Sequence, residues 1–410
     1  MGAQGEEWTM RITEVQAMRL ALPAEPDAAR TQREAQARRP SWNRQQSIDN
    51  PARKYAFARR ESRGRGRLPW ETVACKVTAE DGTWGLGLTS YGRPVAAIIE
   101  DQFAPLLMGQ PALATERCWD MLVRSAKAYG TTGLTSYAIS AVDLALWDLK
   151  GKLLGQPVYA LLGGPVHDDL FCYATGNDTD WYVELGFEAN KLAHLYGLTD
   201  GVRGLDATER QVAEAREALG PERELMLDCW QSFDVEYTVR LAERLRPYRL
   251  RWIEECLPPE DLDAHVALRQ RLPWMGLATG EHWHAPQHFA FACRRQVVDI
   301  LQPDIHWCGG LTACVKIAHL AEASGLSVML HAGANTAYGQ HFSYAMPAVP
   351  WAELFVASDP GVPLAEAMAA PRGYMNLPGT PVPHRGRLRP SDAPGFGLEI
   401  NAEWLTPFFG

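Results

Sequence analysis

The chain has 410 residues, 46% hydrophobic and 22% charged, enough to bury a large core and too apolar for wholesale disorder. Its net charge of -9 argues against a nucleic-acid partner, which calls for a basic surface. No apolar run approaches the roughly 18 residues of a membrane span, and residues 1–10 lack the apolar core of a secretory signal. The eight cysteines are scattered, with no C-x-x-C pair, and several lie in apolar runs. They read as reduced core thiols of a cytoplasmic protein.

In chain order, residues 11–20 alternate as a strand. Residues 30–67 hold eleven Arg and one Lys against three acids, a composition that predicts a long mobile loop. Residues 72–78 and 83–88 flank Asp81-Gly82 as a hairpin. Helices are predicted near 95–107, 114–126 and 136–154. Eight short apolar runs then follow, at 169–175, 187–192, 224–229, 251–255, 276–280, 298–302, 326–331 and 352–356. Helical patterns separate most of them. Repeated strand–helix units imply a parallel sheet, and eight of them a closed barrel. After residue 372 the chain turns rich in Pro and Gly and is expected to pack back on the first domain. The expected units are 1–135, 136–371 and 372–410.

The ends of the runs carry the chemistry. Six consecutive runs finish in or near an ionisable residue: Asp228, Glu254, Glu281, Asp304, His331 and Glu353. In a barrel these ends share one face, where active sites are built. Any one acid could simply cap the helix that follows; six in a row make a weak case for capping. Asp228, Glu254 and Glu281 offer only oxygen ligands, which suit a hard cation, Mg²⁺ first and Mn²⁺ second. Lys191, ending the second run, is a candidate cation beside them. Asp304 and His331 end adjacent runs, so the carboxylate can orient the imidazole and make a general base. The bland alternative is a core histidine paired with a structural acid. Glu281-His282-x-His284-x-x-x-His288 weighs less as a zinc site: it lacks the H-E-x-x-H order and Pro286 interrupts the pair. His282 is expected to line the pocket beside Glu281.

These residues resemble the enolase superfamily, in its mandelate racemase/muconate lactonizing enzyme branch. The resemblance is carried by the stretch from Ser140 to Gly151, by Asp228-Cys-Trp230, Trp252-Ile-Glu-Glu255, Gly280-Glu-His282 and Gln302-Pro-Asp304. Glu254-Glu-x-Leu-Pro-Pro259, Gln302-Pro-Asp-x-x-Trp-Cys-Gly-Gly310 and Pro394-Gly-Phe-Gly397 are most similar to the L-rhamnonate dehydratases. The resemblance implies an α/β fold, a (β/α)7β barrel capped by an α+β domain from both chain ends. It implies Mg²⁺ on Asp228, Glu254 and Glu281, a His331–Asp304 dyad, an electrophilic Glu353 and a homo-oligomer, octameric in relatives, for which Trp181 and Tyr182 are candidate exposed contacts.

Two departures qualify it. Relatives often carry Lys-x-Lys on the second strand; here Lys191-Leu-Ala193 keeps only the first. The cap also lacks the histidine expected in it, since no His precedes His167. In this branch the cap sets specificity, so Trp42, Arg38, Arg39 and Arg44 become candidate contacts for a polyhydroxy anion; a solvated basic loop is the plain alternative. The expected activity is an acid-sugar dehydratase in which one base removes the C2 proton and the 3-hydroxyl leaves, giving a 2-keto-3-deoxy acid. The alternatives are a racemase, epimerase or cycloisomerase of the same superfamily, or a silent sugar-acid binding protein.

Overall fold

The computed structural model describes residues 10–52, 55, 71–370 and 373–409. Three antiparallel strands open the chain: β1 (Ile12–Leu20), β2 (Val73–Ala79) and β3 (Trp84–Thr89). The helix Leu134–Leu153 covers this sheet and buries fifteen of its residues. Two glycines of β3 allow the contact: a Cβ on Gly87 would lie 1.9 Å from Ala141 O, and one on Gly85 would lie 2.1 Å from Ala145 O. Two acids of the same helix tie it in both directions. Asp148 accepts from Leu86 N at 2.9 Å and from Phe396 N at 3.0 Å. Asp143 accepts from Thr312 N at 2.8 Å, at the start of the helix Gly310–Ala323.

The eight expected runs form eight parallel strands: β4 (Leu170–Thr175), β5 (Ala189–Ala193), β6 (Glu224–Asp228), β7 (Ile253–Glu254), β8 (Leu277–Thr279), β9 (Ile300–Leu301), β10 (Ser327–Val328) and β11 (Ala352–Phe355). The spatial order is β10-β9-β8-β7-β6-β5-β4-β11. At the seam Val328 N donates to Ala348 O at 2.9 Å, just before β11. Trp252, Met226, Tyr173, Ala278, Ile300 and Met329 fill the interior, as side chains fill a barrel of this size. The tail adds β12 (Arg387–Leu388) beside β4 and β13 (Leu405–Pro407) beside β1. It therefore pairs with both barrel and cap, where packing back on the cap was expected.

Two expectations are corrected. Residues 21–52 are no simple loop: Asp27–Gln36 is helical, built from good helix formers, and Trp42–Gln45 forms a further turn of helix. The rest of the Arg-rich stretch, residues 53–54 and 56–67, lies outside the described residues. Trp181 and Tyr182 are not exposed contacts; they are 7% and 0% exposed and pack in a cluster with Leu354 and Tyr344. All eight cysteines are buried and free. Among the described residues no helix is long and apolar enough to cross a membrane.

Candidate functional site

Strand register places the acids. Ala193 pairs with Asp228, Asp228 with Glu254, and Glu254 with Ala278 at the carboxyl ends of adjacent strands. Glu281 follows three residues past Ala278. Ligand atoms of Asp228, Glu254 and Glu281 lie within 4.8 Å of one another. Just beyond Asp228, Glu254 and His331 the backbone turns left-handed at residues other than glycine: φ is 40° at Trp230, 47° at Glu255 and 50° at Ala332. Such conformations are sparse outside glycine and gather at functional sites.

Lys191 is fully buried. It bonds Glu254 Oε1, lies 2.8 Å from Glu353 Oε1 and 3.8 Å from Asp228 Oδ2. Burial opposes its charge, but Glu254 and Glu353 outweigh that and hold its pKa well above the usual lysine value. Glu353 also accepts from Thr175 Oγ1 at 2.5 Å and Ala332 N at 2.9 Å. Burial works against its charge too; Lys191 and His331 overcome it and bring the carboxyl down to about 2. Burial pushes Asp228 up to about 7 and Glu254 up to about 8, against the pull of Lys191. One ammonium is too little for the four carboxyls of Asp228, Glu254, Glu281 and Glu353. Their formal charges and that of Lys191 sum to -3, which a divalent cation would reduce to -1. An oxygen-only donor set of this charge fits Mg²⁺ or Mn²⁺.

His331 Nδ1 donates to Asp304 Oδ2 at 2.6 Å, and Asp304 is fully buried. His331 Nε2 lies 3.8 Å from Glu281 Oε2. Burial lowers the imidazole pKa, but Glu281 and Asp304 more than reverse this and hold it well above the ordinary value. His331, Asp228, Glu281 and Glu353 line one cavity of about 440 Å³, together with Trp42 from the cap. A larger cavity of about 880 Å³ lies beside the helix Asp27–Gln36. It holds the Arg33–Glu25 ion pair but none of the barrel-end groups.

Other expected contacts fall elsewhere. Arg38 pairs with Glu184 at 2.7 Å, Arg39 with Asp178 and Asp180, and Arg44 with Asp359 at 2.9 Å. None of the three lines the cavity. They fasten the 38–46 segment to the short helix Thr179–Glu184 and its N-cap Asp178, which follow β4, and to the loop after β11, where their carboxylate partners lie. Asp178, 2% exposed, also accepts from Ser41 Oγ at 2.8 Å and Trp42 N at 3.0 Å. This strap holds Trp42 over the mouth. Lys191 sits among carboxylates outside the cavity lining, and His282 stands beside the cavity with Nδ1 2.7 Å from Glu255 Oε1. His284 Nδ1 accepts from Gly133 N at 3.2 Å and His288 stacks on Trp283, so neither joins a metal-ligand group among the described residues; of that motif only Glu281 and His282 come together with a third possible ligand, Glu255.

Sequence reasoning missed several lining residues. Trp230 and Trp307 stood inside the quoted motifs, where their side chains could have been assigned to the mouth. His194 directly follows Ala193; its ring Nδ1 lies 3.1 Å from Asp228 O. Tyr374 and Met375 come from the tail, and no local pattern marks them.

Residues 67–163 match the family described as "Mandelate racemase / muconate lactonizing enzyme, N-terminal domain", and residues 178–404 match "Enolase C-terminal domain-like". The chain is 41% identical over 357 residues to an L-rhamnonate dehydratase of Saccharopolyspora erythraea, covering 87% of this chain and 90% of the relative. A crystal structure of rhamnonate dehydratase from Gibberella zeae complexed with Mg is similar at a TM-score of 0.85 and 30% identity, over 97% of each chain. The 3,6-anhydro-D-galactonate cycloisomerase of Zobellia galactanivorans is similar at a TM-score of 0.70 and 28% identity, covering 82% of this chain and 94% of that one. The chain thus belongs to the enolase superfamily, in its mandelate racemase/muconate lactonizing enzyme branch.

Proposed function

We propose that the chain is a Mg²⁺-dependent acid-sugar dehydratase of the L-rhamnonate dehydratase kind. The observation that carries the reading is the His331–Asp304 dyad, whose imidazole lines one cavity with Asp228 and Glu281 of the carboxylate triad. Asp228, Glu254 and Glu281 would hold the ion. Bound there, it would supply counter-charge to the substrate carboxylate and its enediolate, and would cancel the Glu281 field that otherwise keeps His331 protonated.

His331 Nε2 takes the C2 proton, while Asp304 fixes the ring and steadies the imidazolium that forms. The 3-hydroxyl departs with a proton, which the same imidazolium can return, and ketonisation gives the 2-keto-3-deoxy acid. The electrophilic role expected of Glu353 needs a proton on that carboxyl, and Lys191 opposes one. Glu353 therefore serves as counter-ion to Lys191, and Lys191 adds positive charge beneath the enediolate. Where a second base would stand on the opposite face, Ala193 lines the cavity with a methyl group, which disfavours racemisation.

A panel of aldonates, assayed for 2-keto acid formation, tests this reading. Release of a 2-keto-3-deoxy acid supports it. Exchange of C2 hydrogen with solvent without loss of water would favour an epimerase instead, in which His194 next to Ala193 would be the second base. Failure across the panel would favour a silent binding protein. We further propose a cytoplasmic homo-oligomer, octameric by resemblance; a monomer mass in light scattering at micromolar protein would refute the assembly.

A further inference from the structure

Glu255 is a buried carboxylate that the proposed reaction leaves unused. It is 2% exposed and follows Glu254 directly. Its φ of 47° lies in the left-handed region, sparse for residues other than glycine. The backbone is pinned on both sides: its N donates to Ala278 O at 2.9 Å, and its carbonyl accepts from Gln231 N at 2.6 Å. Its Oε2 has no hydrogen-bond partner among the described residues. A strained backbone that buries a half-satisfied carboxylate calls for a functional reason.

The reason lies in the other oxygen. Glu255 Oε1 accepts from His282 Nδ1 at 2.7 Å. The His282 ring lies near the indoles of both Trp230 and Trp307, at centroid distances of 6.3 and 5.6 Å. Both indoles line the cavity. His331 is arranged alike, with Nδ1 on Asp304 at 2.6 Å and its ring 4.9 Å from Trp307. Glu281 lies between them, with Oε1 3.5 Å from His282 Nδ1 and Oε2 3.8 Å from His331 Nε2. Two carboxylate–imidazole pairs thus flank one acid and one indole, one pair with its ring lining the cavity and the other beside it. With Nδ1 engaged in each, Nε2 is the nitrogen left for a ligand.

We propose that Glu255 is a positioning residue. It fixes the ring and tautomer of His282, so that His282 Nε2 meets a hydroxyl of the sugar-acid chain. This rests on the sugar-acid reading above.

The test compares Glu255→Ala, Glu255→Gln, His282→Asn and the double variant Glu255→Ala/His282→Asn. Loss of such an orienting partner lowers activity by about 10- to 100-fold. That loss is expected in kcat/KM for Glu255→Ala, with Mn²⁺ affinity in a direct titration unchanged. Glu255→Gln, which still accepts from Nδ1, recovers most of it. The double variant is no worse than His282→Asn, because Glu255 acts only through that ring. Multiplying losses in the double variant, wild-type turnover by Glu255→Ala, or Mn²⁺ affinity falling in step with activity would each overturn the proposal. If the wild type turns over no sugar acid, the functional reading fails instead. The pair is then read by ¹⁵N NMR of His282: a Nδ1 signal that moves in Glu255→Ala supports it, and one that stays overturns it.

Discussion

Asp304 accepts the Nδ1 proton of His331 at 2.6 Å while His331 Nε2 faces the carboxylate of Glu281. One imidazole is thereby oriented by one acid and aimed beside another. General-base catalysis is worth about 10²- to 10⁴-fold. His331→Asn should lose at least that in kcat, with unfolding temperature and Mn²⁺ binding retained. Asp304→Asn should lose less of kcat than His331→Asn. Comparable activity in His331→Asn and wild type would remove the assigned base.

The strap predicts a separate phenotype. Removing a buried acceptor leaves its donors unsatisfied at about 1–3 kcal/mol each. Asp178→Ala frees Ser41, Trp42 N and Arg39 together. Since about 1.4 kcal/mol is a factor of ten, KM should rise by about tenfold or more, with a smaller change in kcat. Steady-state kinetics on the best aldonate checks this; an unchanged KM would show that Trp42 does not depend on the strap.

Stability should fall on the acid side for a reason that can be traced to His341. It is fully buried, its Nδ1 accepts from Tyr159 N at 3.2 Å, and burial drives its pKa down to about 3. Unfolding returns the ring to the ordinary value near 6.5, so the unfolded chain takes up the proton first. This contribution is complete above about pH 6.5 and is lost as pH falls toward about 3. His284, brought down to about 4 chiefly by burial, acts in the same direction. Unfolding temperature measured from pH 7 to 4 should decline, and His341→Gln should decline less steeply.

Gly87 predicts a packing failure. A Cβ there would sit 1.9 Å from the carbonyl of Ala141, which belongs to helix backbone and cannot swing away. Gly87→Ala should destabilise by about 3 kcal/mol, visible as a lower urea midpoint, whereas Gly82→Ala meets nothing within 4 Å and is strained only through its turn.

The barrel was legible because its strands are short apolar runs, six of which end in or near an ionisable residue. Asp228, Glu254 and Glu281 announced themselves by position alone. The arginines misled because composition cannot distinguish a solvated basic loop from a clamped one. What clamps them, Asp178, Asp180, Glu184 and Asp359, lies far along the chain. Trp181 was misread for the same reason. It sits in a polar stretch, yet the strap returns over it and Arg38 stacks on its ring at 5.4 Å. Tyr374 was invisible because its place in the cavity depends on how the tail docks.

The most direct test of the central claim is metal removal. Chelator-stripped enzyme should form no 2-keto-3-deoxy acid from L-rhamnonate or a better aldonate, and Mg²⁺ or Mn²⁺ should restore turnover in wild type but not in Glu281→Gln. Full activity in metal-free enzyme would contradict the account.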